Sequence, residues 1–406
     1  MKAIAFIMFF TSLIFPPFAA GGENNAHEHW KRPVNTGPSI PVEGLYPESC
    51  AKCHNAEYED WKGALHSKST GHGLVAQLDP KSDPQTVVSC YYCHAPLAIQ
   101  SEVITREDGS GDKTYLPNGS FDEKLKMSGV SCAACHLRES GVFGPLAPPD
   151  APKGELKAGH ASIQKEFFKD AEFCAACHQL DEGFDLNGKL LVNTFAEWKE
   201  SDYGKNRITC QSCHMPGQRH LFRGIHDPEM VKSGVKVEVE KMTQAGRVSA
   251  KLKITNTGAG HYFPTYATPL VVIKGYLTGA KGNVLKGTLK EAAIGRKITL
   301  DLSKEIFDTR IPPFKKYEFD YAVKAAVKGE TLVFEVWVFP DEFYNRFFES
   351  AVKDDDPSMK KTELKEAFKI TSGSSYLLFK EEIPLGRIRP SNGTRAVTEA
   401  RIHGQH

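Results

Sequence analysis

Ten cysteines lie between Cys50 and Cys213, and none lies elsewhere in the chain. They form five pairs, each with two residues between the thiols and a histidine directly after. The pairs are Cys50-Ala-Lys-Cys53-His54, Cys90-Tyr-Tyr-Cys93-His94, Cys132-Ala-Ala-Cys135-His136, Cys174-Ala-Ala-Cys177-His178 and Cys210-Gln-Ser-Cys213-His214. Paired thiolates can hold zinc, but zinc does not need an adjacent imidazole, and five pairs do not divide evenly among four-thiolate sites. A disulfide framework has no use for a histidine at the same place five times, and a redox-active dithiol occurs once, near a strand–helix unit. Covalent haem attachment explains every element. Two thiols add across the vinyl groups on one edge of the porphyrin, and the next residue offers its imidazole to the iron as proximal ligand. The expectation is five covalently bound c-type haems, attached through all ten cysteines and ligated by His54, His94, His136, His178 and His214.

A sixth ligand can come from the histidines outside the motifs. Of fifteen histidines, His27, His29, His403 and His406 fall near the termini and read as solvated. His66, His72, His160, His220, His226 and His261 remain, six candidates for five irons. His66 follows Trp61-Lys62-Gly63-Ala64-Leu65, a segment of helical composition; His160 precedes Cys174 and His220 follows His214. His261 sits beyond the motifs in Asn256-Thr-Gly-Ala-Gly-His261-Tyr-Phe-Pro264. Its glycines would let backbone approach a flat partner, although a turn with the histidine facing solvent suits the same residues. Met215 adjoins a proximal ligand and cannot easily reach across its own haem. Trp61 to His66 repeats weakly as Trp198 to Tyr203, where a tyrosine packed beside a haem reads better than a tyrosine ligand.

These ligands must be positioned by a segment with many loops and few long apolar runs. Residues 49–230 read as a mainly helical and irregular multihaem domain whose core would be the macrocycles, and which should not fold without them. Beyond about residue 230 the pattern changes. Val235, Val237 and Val239 alternate with charged residues, and Val248, Ala250, Leu252 and Ile254 repeat the period, which marks half-buried strands. Leu270 to Tyr276, Tyr317 to Tyr321 and Thr331 to Phe339 read as further strands, the last buried on both faces. A helix is expected from Asp341 to Val352, and Lys353-Asp-Asp-Asp-Pro357 as a solvated loop. Residues 231–389 are therefore expected to form an antiparallel β-sandwich, making the chain an α+β, multidomain protein.

The ends read differently. Lys2, an apolar run from Ile4 to Phe15, and Ala19-Ala20-Gly21 mark residues 1–21 as a signal peptide, followed by a Pro-rich linker over 22–48. Residues 390–406 read as a flexible tail. No other run is long enough to span a bilayer, so the mature chain is expected to carry no transmembrane span. A formal charge of +1 gives no reason to expect nucleic acid as a partner. Ionised haem propionates would turn the loaded protein acidic.

Taken together, the motifs resemble multihaem cytochromes c related to the tetrahaem cytochrome c and hydroxylamine oxidoreductase of ammonia oxidisers. The resemblance rests on Cys50-x-x-Cys53-His54 followed by Trp61 and His66, on Gly129-Val-Ser-Cys132, and on Phe173-Cys174-Ala-Ala-Cys177-His178. It extends through Thr194-Phe-x-x-Trp198 to Cys210-Gln-Ser-Cys213-His214-Met215-Pro216 and His220, covering most of residues 48–228. It implies haems stacked into an electron-conducting row. The chain does not reach the haem count of hydroxylamine oxidoreductase, and its motifs all end in histidine, not the lysine of pentahaem nitrite reductases. The expected function is an exported electron carrier, periplasmic or at the outer surface or beyond it, working between a redox protein donor and acceptor. Two other readings stay open. One is an oxidoreductase with one open-coordinated haem for a small nitrogen or sulfur compound; the other is a homo-oligomer or electron-conducting extracellular filament.

Overall fold

The computed structural model describes residues 34–385 except 37–39, 72–73, 75–77, 79–81, 108–111, 140, 146–159, 161, 182, 245–246, 325–328 and 355–360. Residues 1–21, read as a signal peptide, residues 390–406, read as a tail, and His72 lie outside the described residues. Part of the stretch read as a linker is built into the fold: Val34 and Leu45 are buried with Leu97, Leu125, Ala133 and Ala134. Both are apolar, and a hydrophobic cluster is where their burial stabilises most.

The N-terminal half consists of short helices and loops. Four motifs end helices at their histidine: Pro84–His94, Cys132–His136, Glu172–His178 and Cys210–His214. The longest of them starts as its sequence requires, with Pro84 in the first turn and the Asp83 carboxylate accepting from Thr86 N at 3.0 Å. Such helices are too short to be stable alone. Their apolar clusters are small, built on a handful of residues around Leu125 and around Tyr91.

The C-terminal half is built from eight strands: β1 (Val235–Gln244), β2 (Arg247–Asn256), β3 (Leu270–Thr278), β4 (Lys290–Ile298), β5 (Glu305–Asp308), β6 (Lys316–Lys324), β7 (Thr331–Phe339) and β8 (Tyr376–Pro384). They pair antiparallel into a five-stranded sheet, β5-β4-β3-β7-β8, and a three-stranded sheet, β6-β2-β1. Val248, Ala250, Leu252 and Ile254 of β2 all point into one core, as their alternation predicts, and meet Val271 and Ile273 of β3 and Phe334, Val336 and Val338 of β7 there. Gly275 on β3 makes room for the other sheet: a Cβ would stand 2.7 Å from the Tyr321 ring and 3.2 Å from that of Phe319, both on β6. β7 is central in its sheet, and Val333 on its opposite face is also buried. Helices Glu342–Asp354 and Lys361–Ser372 pack against each other through Phe348, Leu364 and Ala367.

Two salt-bridge clusters join the halves. The Arg296 guanidinium of β4, fully buried, donates to Glu305 at 2.9 Å and to the carbonyls of Leu186, Lys189 and Leu190 at 2.7, 3.0 and 2.6 Å. Those carbonyls belong to a small hairpin of the N-terminal half, Asp185–Leu186 with Lys189–Leu190. Nearby, Arg310 donates to Glu197 at 3.0 Å and to Asp308 at 2.9 Å.

One glycine holds a motif in place. Gly129 has φ +59°, and a Cβ there would stand 2.6 Å from His66 O and also meet Ser69. The following Val130 N donates to both His66 O and Ser69 Oγ at 3.0 Å. Gly129→Ala is therefore expected to destabilise the protein by more than about 1 kcal/mol, whereas an alanine at Gly63 should be neutral or slightly stabilising. At Gly63 an added Cβ meets nothing within 4 Å. Thermal denaturation of the two variants checks the contrast.

Candidate haem-ligation sites

The helices and loops bring four motif histidines face to face with four of the other histidines. Ring centres are 6.2 Å apart for His54 and His160, 6.2 Å for His66 and His178, 6.0 Å for His136 and His220, and 6.4 Å for His214 and His261. These distances test whether an iron fits. An iron bonded to two imidazole nitrogens at about 2.0 Å each puts the ring centres roughly 6 Å apart. The residues present fit the group. Every pair joins distant stretches: His66, near the first motif, faces the histidine of the fourth, and His160, near the fourth, faces that of the first.

Several of the other ring nitrogens are anchored. Nδ1 of His94, His136 and His214 donates to the carbonyls of Ser69, Phe143 and Arg223 at 2.8, 2.7 and 2.6 Å, and that of His261 to its neighbour Tyr262 O at 2.8 Å. A proton held on Nδ1 leaves the Nε2 lone pair for a metal and fixes the ring plane. Burial lowers the pKa of His94, His136, His220 and His261, in His136 and His261 to about 4, so these rings are neutral, the form that ligates.

The His261 loop is delivered by the helix Thr194–Glu200. Glu197 accepts from Tyr262 N at 3.0 Å and from Thr265 Oγ1 at 2.8 Å, and Asn256 Nδ2 donates to His261 O at 2.9 Å. Gly260 lies so close to this helix that a Cβ would stand 3.1 Å from Tyr203 and 3.3 Å from Trp198. Burial raises the Glu197 carboxyl above its ordinary value, against the pull of Thr265 and Arg310.

The weak repeat has a structural counterpart. Trp61 Nε1 donates to Val130 O and Trp198 Nε1 to Ile208 O, both at 2.8 Å. Each carbonyl lies two residues ahead of a motif's first cysteine, Cys132 or Cys210. The sixth positions then differ: His66 faces His178, whereas Tyr203 donates to Thr257 O at 3.0 Å and stacks on Phe314.

His226 is placed apart from these pairs. Its Nε2 lies 3.0 and 3.1 Å from the two Asp341 oxygens, so the nitrogen that an iron would need faces a carboxylate. None of the four imidazole pairs includes it. His94 is in none of the four pairs, and the remaining candidate, His72, lies outside the described residues. Tyr266, Glu197 and Ser69 were not singled out by the sequence. Tyr266 Oη contacts His178 Nδ1 at 2.5 Å, and Ser69 Oγ donates to His94 O at 2.7 Å. Only the nearness of Tyr266 to His261 in the chain could have hinted at its place.

The motif cysteines also meet across motifs. The Cys132 thiol bonds to Cys50, drawing Cys50 down to about 7 and pushing Cys132 up. Cys174 and Cys210 are bonded in the same way, with Cys174 pushed up and Cys210 drawn down. The helix Pro84–His94 touches the helix Glu172–His178.

Residues 49–137 match the model of a family described as cytochrome c554 and c-prime. That match, with the fold, supports a multihaem cytochrome c, and hence electron transfer through covalently bound c-type haem. Among solved structures, a penta-haem cytochrome c552 from Thermochromatium tepidum is similar over 85% of this chain and 100% of its own, with a TM-score of 0.59 and 21% sequence identity. At that identity the likeness is one of fold. Structural-genomics target SoR45 matches 40% of this chain and 95% of its own at 12% identity, with a TM-score of 0.17 too low to bear on the fold. Among the described residues no helix is long and apolar enough to cross a membrane.

Proposed function

We propose that the protein is an exported pentahaem c-type cytochrome that carries electrons along its haems between a redox protein donor and acceptor. The observation that carries this reading is the four imidazole pairs at 6.0–6.4 Å, each with one motif histidine. In this reading the ten motif cysteines attach five haems, and His54, His94, His136, His178 and His214 are the proximal ligands. His160, His66, His220 and His261 complete the first, fourth, third and fifth sites, and His72 is the candidate for the second. Bound there, the haem irons would cycle between ferric and ferrous states. In this reading the chain's own imidazoles would hold four of them with a pair of histidines each, which supports a carrier over a catalyst that needs an open position. The meeting of Cys50 with Cys132 and of Cys174 with Cys210 supports close neighbourhood of the first with the third haem and of the fourth with the fifth.

The leader read in residues 1–21 supports export to the periplasm. The two sheets packed on one core support the β-sandwich reading of residues 231–389, and the whole partition at 21, 48, 230 and 389 belongs to the same proposal. The wider kinship with the hydroxylamine oxidoreductase superfamily rests on the motif residues alone. The test is stoichiometry with spin state. A pyridine haemochrome assay is expected to give five haems per chain, and electron paramagnetic resonance low-spin ferric signals from the four paired sites. Four haems or fewer in fully matured protein, or high-spin iron at several sites, refutes it.

A further inference from the structure

His178 is anchored unlike three of the other motif histidines. His94, His136 and His214 direct Nδ1 to backbone carbonyls, whereas His178 Nδ1 meets the side-chain oxygen of Tyr266, a residue of the C-terminal half, at 2.5 Å. An imidazole with Nε2 on a metal keeps its proton on Nδ1, so Tyr266 Oη must accept. Its own proton is then free to pass a hydrogen bond onward.

The structure supplies a chain for it. Tyr266 is hydrogen-bonded to Thr194, Thr194 Oγ1 lies 2.9 Å from Thr265 Oγ1, and Thr265 Oγ1 donates to Glu197 Oε2 at 2.8 Å. A carboxylate only accepts, which sets the direction of every link. With Nε2 of His178 on a metal, the hydroxyls would all turn one way, His178 donating to Tyr266, Tyr266 to Thr194, Thr194 to Thr265, and Thr265 to Glu197. Arg310 donates to the other Glu197 oxygen at 3.0 Å, with both side chains nearly buried at 6% and 4% exposure. Hydrogen bonds in series polarise one another in a low dielectric. The buried Glu197 carboxylate would therefore polarise the His178 ring through three hydroxyls, which would strengthen its hold on a ferric iron bound there.

We propose that Tyr266 is a positioning residue that lowers the reduction potential of the haem held by the fourth motif, acting through His178 and drawing on Glu197 by way of Thr194 and Thr265. The inference rests on the reading that His178 and His66 ligate that haem. Its test is a spectroelectrochemical titration of the mature holoprotein as Tyr266→Phe and as Thr194→Val, each alone and combined with His66→Ala. His66→Ala marks the haem by turning it high-spin. Tyr266→Phe is expected to raise the potential of one component by about 59 mV, a roughly ten-fold change in its ferric-to-ferrous ratio. Thr194→Val, which interrupts the chain one link further out, should raise the same component by less. In the combined variants the shifted component should be the high-spin one. A marked high-spin haem with no upward shift in either variant, or a shift confined to another component, overturns the role of Tyr266. If His66→Ala yields no high-spin haem, the ligation reading itself fails, and this inference with it.

Discussion

His261→Ala is expected to leave five covalent haems in place while one of them turns from low-spin to high-spin and begins to bind carbon monoxide. The ring of His261 lies 6.4 Å from that of His214 at an interplanar angle of 13°, and burial keeps it neutral. The substitution removes the ring, not the loop that carries it. Glu197, Asn256 and the close approach of Gly260 to Tyr203 continue to hold the backbone. Truncation after Met230 should reproduce the high-spin signal, because every attachment motif precedes that residue. It should also do more damage, since Tyr266 and the partners of Glu197 are lost with it. Optical and electron paramagnetic resonance spectra of the two proteins decide the matter. Wholly low-spin iron in both would reduce the C-terminal half to a docking module.

The second large effect concerns haem removal. Produced without haem attachment, residues 49–230 are expected to be unfolded, with protease cleaving them while a fragment beginning near Val235 resists. The physical reason is the disparity of the two cores. Leu252, Ile254, Ile273, Phe334 and Val338 of the C-terminal half are completely buried together, whereas the N-terminal half has only small clusters around Leu125 and Tyr91. Its paired imidazoles attract one another little without a metal between them. Contacts between imidazole rings alone offer little compensation for the chain entropy of ordering loops. Native helix content by circular dichroism in the haem-free chain would contradict this account.

Local chemistry was legible in the sequence, and long-range pairing was not. The motif histidines were readable because two thiols and an imidazole at fixed spacing leave one economical explanation. Strands β1 and β2 were readable from alternation, and β3, β6 and β7 as short runs rich in apolar and aromatic residues. β4 and β8 were not, because Lys290, Glu291, Arg296 and Lys297 in one, and Lys380 to Glu382 in the other, interrupt the apolar pattern. Arg296 in particular looks like a surface residue, yet is buried by carbonyls of a hairpin more than a hundred positions earlier. The helix Lys361–Ser372 escaped notice for a related reason: its buried face is only Leu364, Ala367 and Thr371. Among the ligand candidates, nothing in the sequence tells His261 from His226. The difference lies in what the fold sets opposite each, an imidazole for the first and the Asp341 carboxylate for the second.

The crossed order of the imidazole pairs has a mechanical meaning. Under the proposed ligation each pair closes a loop, and the loops are linked in series. The span from 54 to 160 overlaps that from 66 to 178, which overlaps 136 to 220, which overlaps 214 to 261. A single backbone nick between 66 and 220 would therefore release no fragment, because at least one iron bond still bridges the cut. The last loop crosses from the haem-bearing half into the strands, so the clasp extends over the boundary between them. Such a chain cannot shed its modules one at a time. It should loosen as a unit, and only after several iron bonds have opened together.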